Sequence, residues 1–148
     1  MDRGHNKTYS KEIMSKELNK HTLESFEHLK KSIDDLGVAV TIESDEGRMV
    51  IDATLHRAKV AFEVFGSLLE ELAKLSGEDI KTPQDAVVAA GNFGWLHDEE
   101  IWLSIIGDSA QIPKAFKNED ADKIYYRLPG YHKEIKATYD LLAEKFLD

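Results

Sequence analysis

The histidines are the side chains of this sequence with the clearest capacity for metal binding or proton transfer. They are His5, His21, His28, His56, His97 and His132. No two stand three or four residues apart, so no helix face carries the paired histidines of a zinc site. A di-metal site in a helical bundle needs Glu-x-x-His on two helices, whereas Ser25, Ala53 and Pro129 stand three residues before His28, His56 and His132. We therefore predict no metal ion and no other cofactor.

Other common catalytic motifs are also missing. The sequence has no cysteine, which excludes disulfides, thiol catalysis and cysteine-based zinc sites. It has no P-loop, no GxGxxG and no GxSxG. His21 and His28 lie two helical turns apart, and we interpret them as solvated surface groups.

Two charged residues, Arg57 and Glu63, stand at the edge of an apolar stripe. Arg57 follows the stripe residue Leu55 by two positions, and Glu63 follows Phe62 by one. One interpretation makes them rim groups that reach into water or pair with neighbours. The other makes them polar groups that line a groove between helices.

A polar segment, residues 107–118, holds the remaining candidates for a site. It contains Gly107, Asp108, Ser109, Pro113 and Lys114, and it separates two apolar stretches. We predict a loop between two helices. Asp108, Ser109 and Lys114, together with Arg57 and Glu63, form our candidate binding groove.

Five predicted helices must position these residues. The first runs from about residue 11 to Leu36, with Gly37 as its C-cap and a few extended residues at 38–42. The second carries Ile51, Leu55, Ala58, Phe62, Phe65, Leu69 and Leu72 at heptad spacing, which lays one apolar seam along a helix, and it ends at Gly77.

The third and fourth predicted helices are short. Thr82 caps the third, with Pro83 in its first turn and Asp85 three residues after the cap. That helix stops near Gly91 and Gly94, which permit left-handed backbone. Asp98 caps the fourth helix, which we expect to end at Gly107.

The last predicted helix begins near Glu119 and carries two rows of apolar or aromatic residues. One row is a core seam: Ile124, Leu128, Tyr131, Ile135, Thr138 and Leu142. The other is Tyr125, His132, Tyr139 and Phe146, which either widens the core-facing stripe or forms a dimer interface. Pro129 predicts a kink or break at residues 125–130.

Bulk composition fits a single helical domain. The chain has 148 residues, 42% of them hydrophobic and 32% charged, and strand signals are nearly absent. We predict one all-α domain spanning 1–148, with residues 1–10 disordered. It is an up-and-down four-helix bundle with an additional short helix, because short connections place successive helices antiparallel.

Charge and hydropathy bear on partners and location. The net charge of −9 disfavours nucleic-acid binding by the chain alone, since phosphates attract Lys and Arg. No apolar run approaches the roughly 20 residues of a membrane span, and the N-terminus lacks an apolar signal-peptide core. We expect a cytoplasmic protein without membrane contact.

Three segments carry a resemblance to a known family. "LHRAKVAFEVFGSLLEEL", "TPQDAVVAAGNFGWLHDEEIWLSII" and "KNEDADKIYYRL" occur in this order. Together, over residues 49–128, they resemble the nucleotidyltransferase substrate-binding family of the HEPN superfamily of helical bundles. The resemblance implies a four-helix bundle, a homodimer and a separately encoded small nucleotidyltransferase as partner. It also implies a toxin–antitoxin setting in which the bundle can be a ribonuclease.

The resemblance gives residues 107–118 the place of a catalytic loop. Nuclease-type relatives carry an Asp-Arg pair, then a His and a Tyr. Here Asp108 matches the Asp, but Ser109, Lys114 and Phe116 stand where Arg, His and Tyr would be. Serine cannot neutralise a phosphate, and a lysine ordinarily stays protonated at neutral pH, so it is a poor proton shuttle.

The sequence therefore favours a binding protein over an enzyme. We predict a non-catalytic helical bundle that acts as the substrate-binding or regulatory partner of a small nucleotidyltransferase. The alternatives are a divergent HEPN-type ribonuclease toxin and a helical interaction protein of unrelated role.

Overall fold

The computed structural model describes residues 20–42, 48–114 and 119–147. These residues form α1 (Lys20–Val40), α2 (Arg48–Leu75), α3 (Pro83–Asn92), α4 (Glu99–Gln111) and α5 (Glu119–Phe146), with a 3₁₀ turn at Ile112–Lys114. The three described ranges contain no strand, so the all-α prediction is confirmed. The predictions for residues 1–10, for a helix start near residue 11 and for Phe116 fall outside these ranges.

Contacts between helix ends show that α1 runs antiparallel to both α2 and α5. Thr22, at the start of α1, donates a 2.6 Å hydrogen bond to Glu71 near the end of α2. Phe26 packs edge-on against Tyr139, while Tyr125 Oη lies 3.4 Å from the Ile42 carbonyl. Since α1 opposes both of them, α2 and α5 point the same way.

Helix α4 completes the up-and-down order. Its first half packs on the second half of α5, where Trp102 Nε1 donates to Thr138 Oγ1 at 2.9 Å. Its last turns meet α5 further upstream, through Asp108 and Arg127. The four longer helices therefore alternate in direction, and α3 is the additional short helix.

The heptad seam of α2 forms the centre of the core. Of its seven residues, all but Ile51 are buried, and Ile51 is partly buried against the same core. Trp102 from α4 meets the seam residue Phe65 with ring centroids 4.6 Å apart. The core seam predicted on the last helix is buried throughout.

Three predicted helix ends are confirmed. Gly77 follows α2 with a φ of 92°, the left-handed conformation expected after a helix. Thr82 and Asp85 form a reciprocal capping box at the start of α3. Asp98 caps α4 by accepting hydrogen bonds from the backbone N–H groups of Glu100 and Ile101.

Two glycines serve packing instead of ending helices. Helix α1 continues through Gly37 to Val40, so the predicted C-cap and extended residues are wrong. A Cβ at Gly37 would lie 2.7 Å from Nε2 of His132, and one at Gly91 would lie 2.7 Å from the Glu99 carboxylate. The His132 ring is held by its bond to the Ile33 carbonyl, so Gly37 is needed for close approach, whereas the exposed Glu99 side chain can move away from position 91. Of the pair Gly91 and Gly94, only Gly94 adopts positive φ.

Helices α4 and α5 are both more continuous than predicted. Helix α4 does not end at Gly107 but reaches Gln111, because Ile105 and Ile112 on either side of the glycine are buried and hold the chain against the core. Helix α5 is unbroken at Pro129. Pro129 lies on the exposed side of the helix, while its neighbours Leu128 and Tyr131 are buried. The predicted break is therefore wrong.

No helix in the described part of the chain is long and apolar enough to cross a membrane.

Candidate functional site

A cleft of about 680 Å³ separates α2 from α4. Its floor is apolar and includes Phe62, Trp102 and Ile105, while Pro83 and Val87 of α3 contribute to its wall. The volume falls in the range of about 300–1,000 Å³ that is usual for ligand pockets.

Small residues on the facing helices keep the cleft open. Gly66 and Ser67 line it on α2, and Ser109 and Ala110 line it on α4. A Cβ built on Gly66 meets no atom within 4 Å. Because these side chains are short, the two helices do not interdigitate here as they do around Phe65 and Trp102.

The rim of the cleft on α2 is charged. Glu63 lies 3.7 Å from Lys59, and Glu70 lies 2.8 Å from Lys74, each pair one helical turn apart. Lys59, Glu63 and Glu70 line the cleft itself. Exposed pairs of this kind contribute little to stability, so their carboxylates stay available to a basic group from outside.

The structure brings together only part of the predicted groove. Glu63 and Ser109 line opposite walls of the cleft. Arg57 is exposed and does not line it. Lys114 is exposed on the 3₁₀ turn, where its neighbour Pro113 reaches the cleft instead. Asp108 and Ser109 lie on α4 and not in a loop. They face different directions because neighbouring residues on a helix point about 100° apart.

Asp108 faces α5, where it holds two side chains. Arg127 donates to both of its carboxylate oxygens, at 2.8 and 3.1 Å. Tyr131 Oη donates to Oδ2 at 2.5 Å. Desolvation and the neighbouring carboxylate raise the pKa of Tyr131 well above its usual range, and the hydrogen bond to Asp108 raises the pKa of Arg127. Asp108 is therefore a structural link between helices and not a wall of the cleft.

A second polar cluster, at the start of α4, was not predicted from the sequence. Glu134 is buried and accepts the backbone N–H of Asp98 at 2.6 Å. Its other oxygen lies 2.7 Å from Nδ1 of His97, within hydrogen-bond distance. Thr138 Oγ1 accepts from the His97 backbone N–H and from Trp102 Nε1. The sequence carries only one sign of this cluster, a Glu and a Thr four residues apart on the core-facing side of a helix. The same spacing also occurs in ordinary pairs of surface residues.

The candidate interface row lies largely within the bundle. Tyr125 and Phe146 are buried, and His132 and Tyr139 are partly buried. His132 Nε2 donates to the Ile33 carbonyl at 3.1 Å, and the ring of Phe146 packs edge-on against Trp95. This placement favours the wide core-facing stripe over a dimer surface.

A smaller cavity of about 440 Å³ adjoins the cleft at the start of α1. His21 lines it together with residues near the end of α2. Ser67 and Glu70 line both the cleft and the smaller cavity, so the two are continuous at this end of the bundle.

Metal-binding geometry and comparisons with known proteins add two findings. No group of three His, Asp or Glu side chains within residues 20–42, 48–114 and 119–147 is arranged to hold a metal ion. No protein-family model and no curated protein matches this chain. The family resemblance thus rests on the sequence motifs themselves.

Proposed function

We propose that this chain is a non-catalytic binding protein whose cleft between α2 and α4 docks a separately encoded small nucleotidyltransferase. The observation that carries the proposal is the combination of an apolar floor with a charged rim in an open cleft. Such a combination is typical of recognition sites, where apolar contacts give affinity and a few polar groups give orientation.

The lining of the cleft specifies the chemistry of the docking segment. Phe62, Trp102 and Ile106 offer apolar contact, so the partner should insert one or two apolar side chains. Glu63 and Glu70 are exposed carboxylates on the rim and favour a flanking Lys or Arg. We therefore expect the partner to present a short segment with apolar residues next to basic ones.

The arrangement of Ser109 and Lys114 supports binding over ribonuclease chemistry. The resemblance places these two residues at the positions of a catalytic Arg and His. Ser109 lines the cleft, whereas Lys114 is exposed on the 3₁₀ turn and does not line it. A general acid/base and a charge-stabilising group must reach the same phosphate. The purified chain should therefore cleave no RNA, and Lys114→Ala should make no difference to that result.

The proposal includes the homodimer that the resemblance implies. Met49 and Tyr126 are 83% and 74% exposed, the highest values among the large hydrophobic side chains of the described residues. They lie at the same end of the bundle, since Arg48 pairs with Asp122 at 3.0 Å. We infer that this end meets a second copy. Light scattering should give twice the mass of one chain, and Met49→Ser with Tyr126→Ser should give the single mass.

The experiment that tests the main proposal is co-purification with a small nucleotidyltransferase of the same genome, sought first among the genes adjacent to this one. Tagged chain and untagged transferase are produced together, and the complex is measured by native mass spectrometry. A complex of defined stoichiometry supports the proposal. A transferase that elutes alone, at concentrations where both proteins are folded, contradicts it.

A further inference from the structure

We propose that the cleft between α2 and α4 receives an amphipathic α-helix of the partner, and that one edge of this helix carries two basic residues seven positions apart. The source of this helix rests on the proposed function, whereas the preference for a helix follows from the cleft itself. Three features of the lining lead to it: the spacing of two carboxylates, the small residues between them and the uncharged side chains of the opposite rim.

The two carboxylates lie on the same edge of the cleft. Glu63 and Glu70 both line it, and their side chains are 61% and 44% exposed. Seven residues along a helix span about 10.5 Å and end within about 20° of two full turns, so both carboxylates face the same way. A partner that neutralises both must therefore place two positive charges about 10.5 Å apart on one side.

This distance selects a helical partner over an extended one. Residues seven apart on a partner helix reproduce it, and they also lie on one side of that helix. In an extended segment, side chains on one side recur about every 6.7 Å, so the available spacings are about 6.7 and 13.4 Å. Neither value matches the carboxylates, whereas two lysines or arginines seven residues apart in a helix do.

The walls of the cleft favour a helix for a second reason. Both long walls are helices, α2 and α4, which offer no strand edge to an extended segment. An extended segment that lay on Phe62 and Ile106 would leave backbone groups unpaired against apolar side chains, which costs free energy. A helix satisfies its own backbone hydrogen bonds and presents only side chains to the floor of the cleft.

Small residues give such a helix room to approach. Gly66 and Ser67 lie between the two carboxylates on α2, and Ser109 and Ala110 line the cleft from α4. A Cβ at Gly66 would meet no atom within 4 Å. Side chains of the partner can therefore enter between the two helices, as ridges enter grooves in ordinary helix packing.

Charge is confined to one rim of the cleft. Lys59, Glu63 and Glu70 line it from α2, whereas the residues that line it from α4 are uncharged. The partner helix should therefore carry its basic residues on one edge of its apolar stripe and uncharged residues on the other. Lys59 and Lys74 now pair with the two carboxylates, but these pairs are exposed, so a partner can replace them at a small free-energy cost.

Synthetic peptides test the inference with the full-length chain and without a transferase. The matched peptide is a helix of about 15 residues with a leucine stripe and two lysines seven apart at one edge. The control peptide has the same composition, but its lysines stand five apart, which puts one of them about 140° away on the other side of the helix. Circular dichroism checks that both peptides are equally helical, and calorimetry measures their dissociation constants.

We expect the matched peptide to bind about three- to fivefold more tightly than the control, the effect of one additional ion pair at an exposed rim. Glu63→Gln with Glu70→Gln should abolish this difference. Glu24→Gln with Glu27→Gln removes two exposed carboxylates of α1 outside the cleft and should preserve it. A proline at the centre of the matched peptide should remove binding, because it breaks the helix.

Equal affinities of the two peptides for the wild type, or no binding of either, would overturn the inference. Undiminished binding of the proline peptide would also contradict it. The peptides contain no part of a nucleotidyltransferase, so these outcomes do not depend on whether that protein is the partner. A transferase complex that forms while neither peptide binds would overturn the inference and leave the docking proposal intact.

Discussion

Tyr131 Oη donates a 2.5 Å hydrogen bond to Oδ2 of Asp108, which ties the last turns of α4 to the middle of α5. The same carboxylate receives two hydrogen bonds from Arg127. This link orients α4 so that Ser109, the next residue, lies in the cleft. One side of α4 is thus committed to the fold, and the adjacent side lines the cleft.

Replacement of Asp108 should destabilise the fold. Asp108→Ala leaves the Tyr131 hydroxyl, in a buried residue, without its acceptor. We expect a loss of about 2 kcal/mol in the free energy of unfolding, the usual cost of an unsatisfied buried polar group. Urea denaturation gives the value. Asp79→Ala is the control, since its ion pair with Lys81 is exposed and should be worth less than about 1 kcal/mol.

Tyr131 should also make stability depend on alkaline pH. Its pKa is raised in the folded chain, chiefly by desolvation, whereas an unfolded tyrosine ionises at about pH 10. Above that pH the unfolded state loses the proton while the folded state keeps it, so stability falls. The stability of Tyr131→Phe should fall less steeply than that of the wild type between about pH 9 and pH 11. Parallel slopes for the two proteins would contradict this account.

The cluster around Glu134 should anchor the start of α4. Thr138→Val removes the acceptor of Trp102 Nε1 and of the His97 backbone N–H. Glu134→Ala leaves the backbone N–H of Asp98 unpaired. We expect each to cost about 2 kcal/mol, and the two together to cost less than the sum, because they belong to one network. Chemical denaturation of the single and double variants measures the coupling, and strict additivity would argue against a connected cluster.

Two glycine replacements should have opposite effects. Gly66→Ala adds a methyl group that meets nothing within 4 Å, so the helix propensity of alanine should stabilise the chain by about 0.5–1 kcal/mol. Gly37→Ala puts a Cβ 2.7 Å from the His132 ring, which must move and lose its bond to the Ile33 carbonyl. We expect Gly37→Ala to unfold at a lower temperature than the wild type. Thermal unfolding of both glycine variants measures the difference.

Periodicity and capping residues predicted most of the fold. The heptad seam of α2, the caps at Thr82 and Asp98 and the left-handed glycine at 77 act over a few residues, so the sequence reports them directly. Gly37, Gly107 and Pro129 were misjudged because each is a helix breaker only when tertiary contacts do not hold the helix together. Buried neighbours on both sides supply those contacts here.

The site was harder to predict than the fold. Glu63 and Ser109 share a cleft because α2 and α4 face each other, while Asp108, one residue from Ser109, turns toward α5. A single helical step of about 100° decides which of two neighbours meets the cleft. That angle can be predicted only when the helix boundary is correct. The predicted helix end at Gly107 placed both residues in a loop instead.

The most direct test of the central claim is the affinity of three matched proteins for the small nucleotidyltransferase that we propose as the partner, measured by calorimetry. Gly66→Trp places a large side chain in the cleft, while Gly107→Trp adds the same side chain to an exposed position outside it. The account predicts that the wild type and Gly107→Trp bind alike and that Gly66→Trp binds at least about tenfold more weakly. Equal affinity of all three proteins, or no binding by any of them, would contradict it.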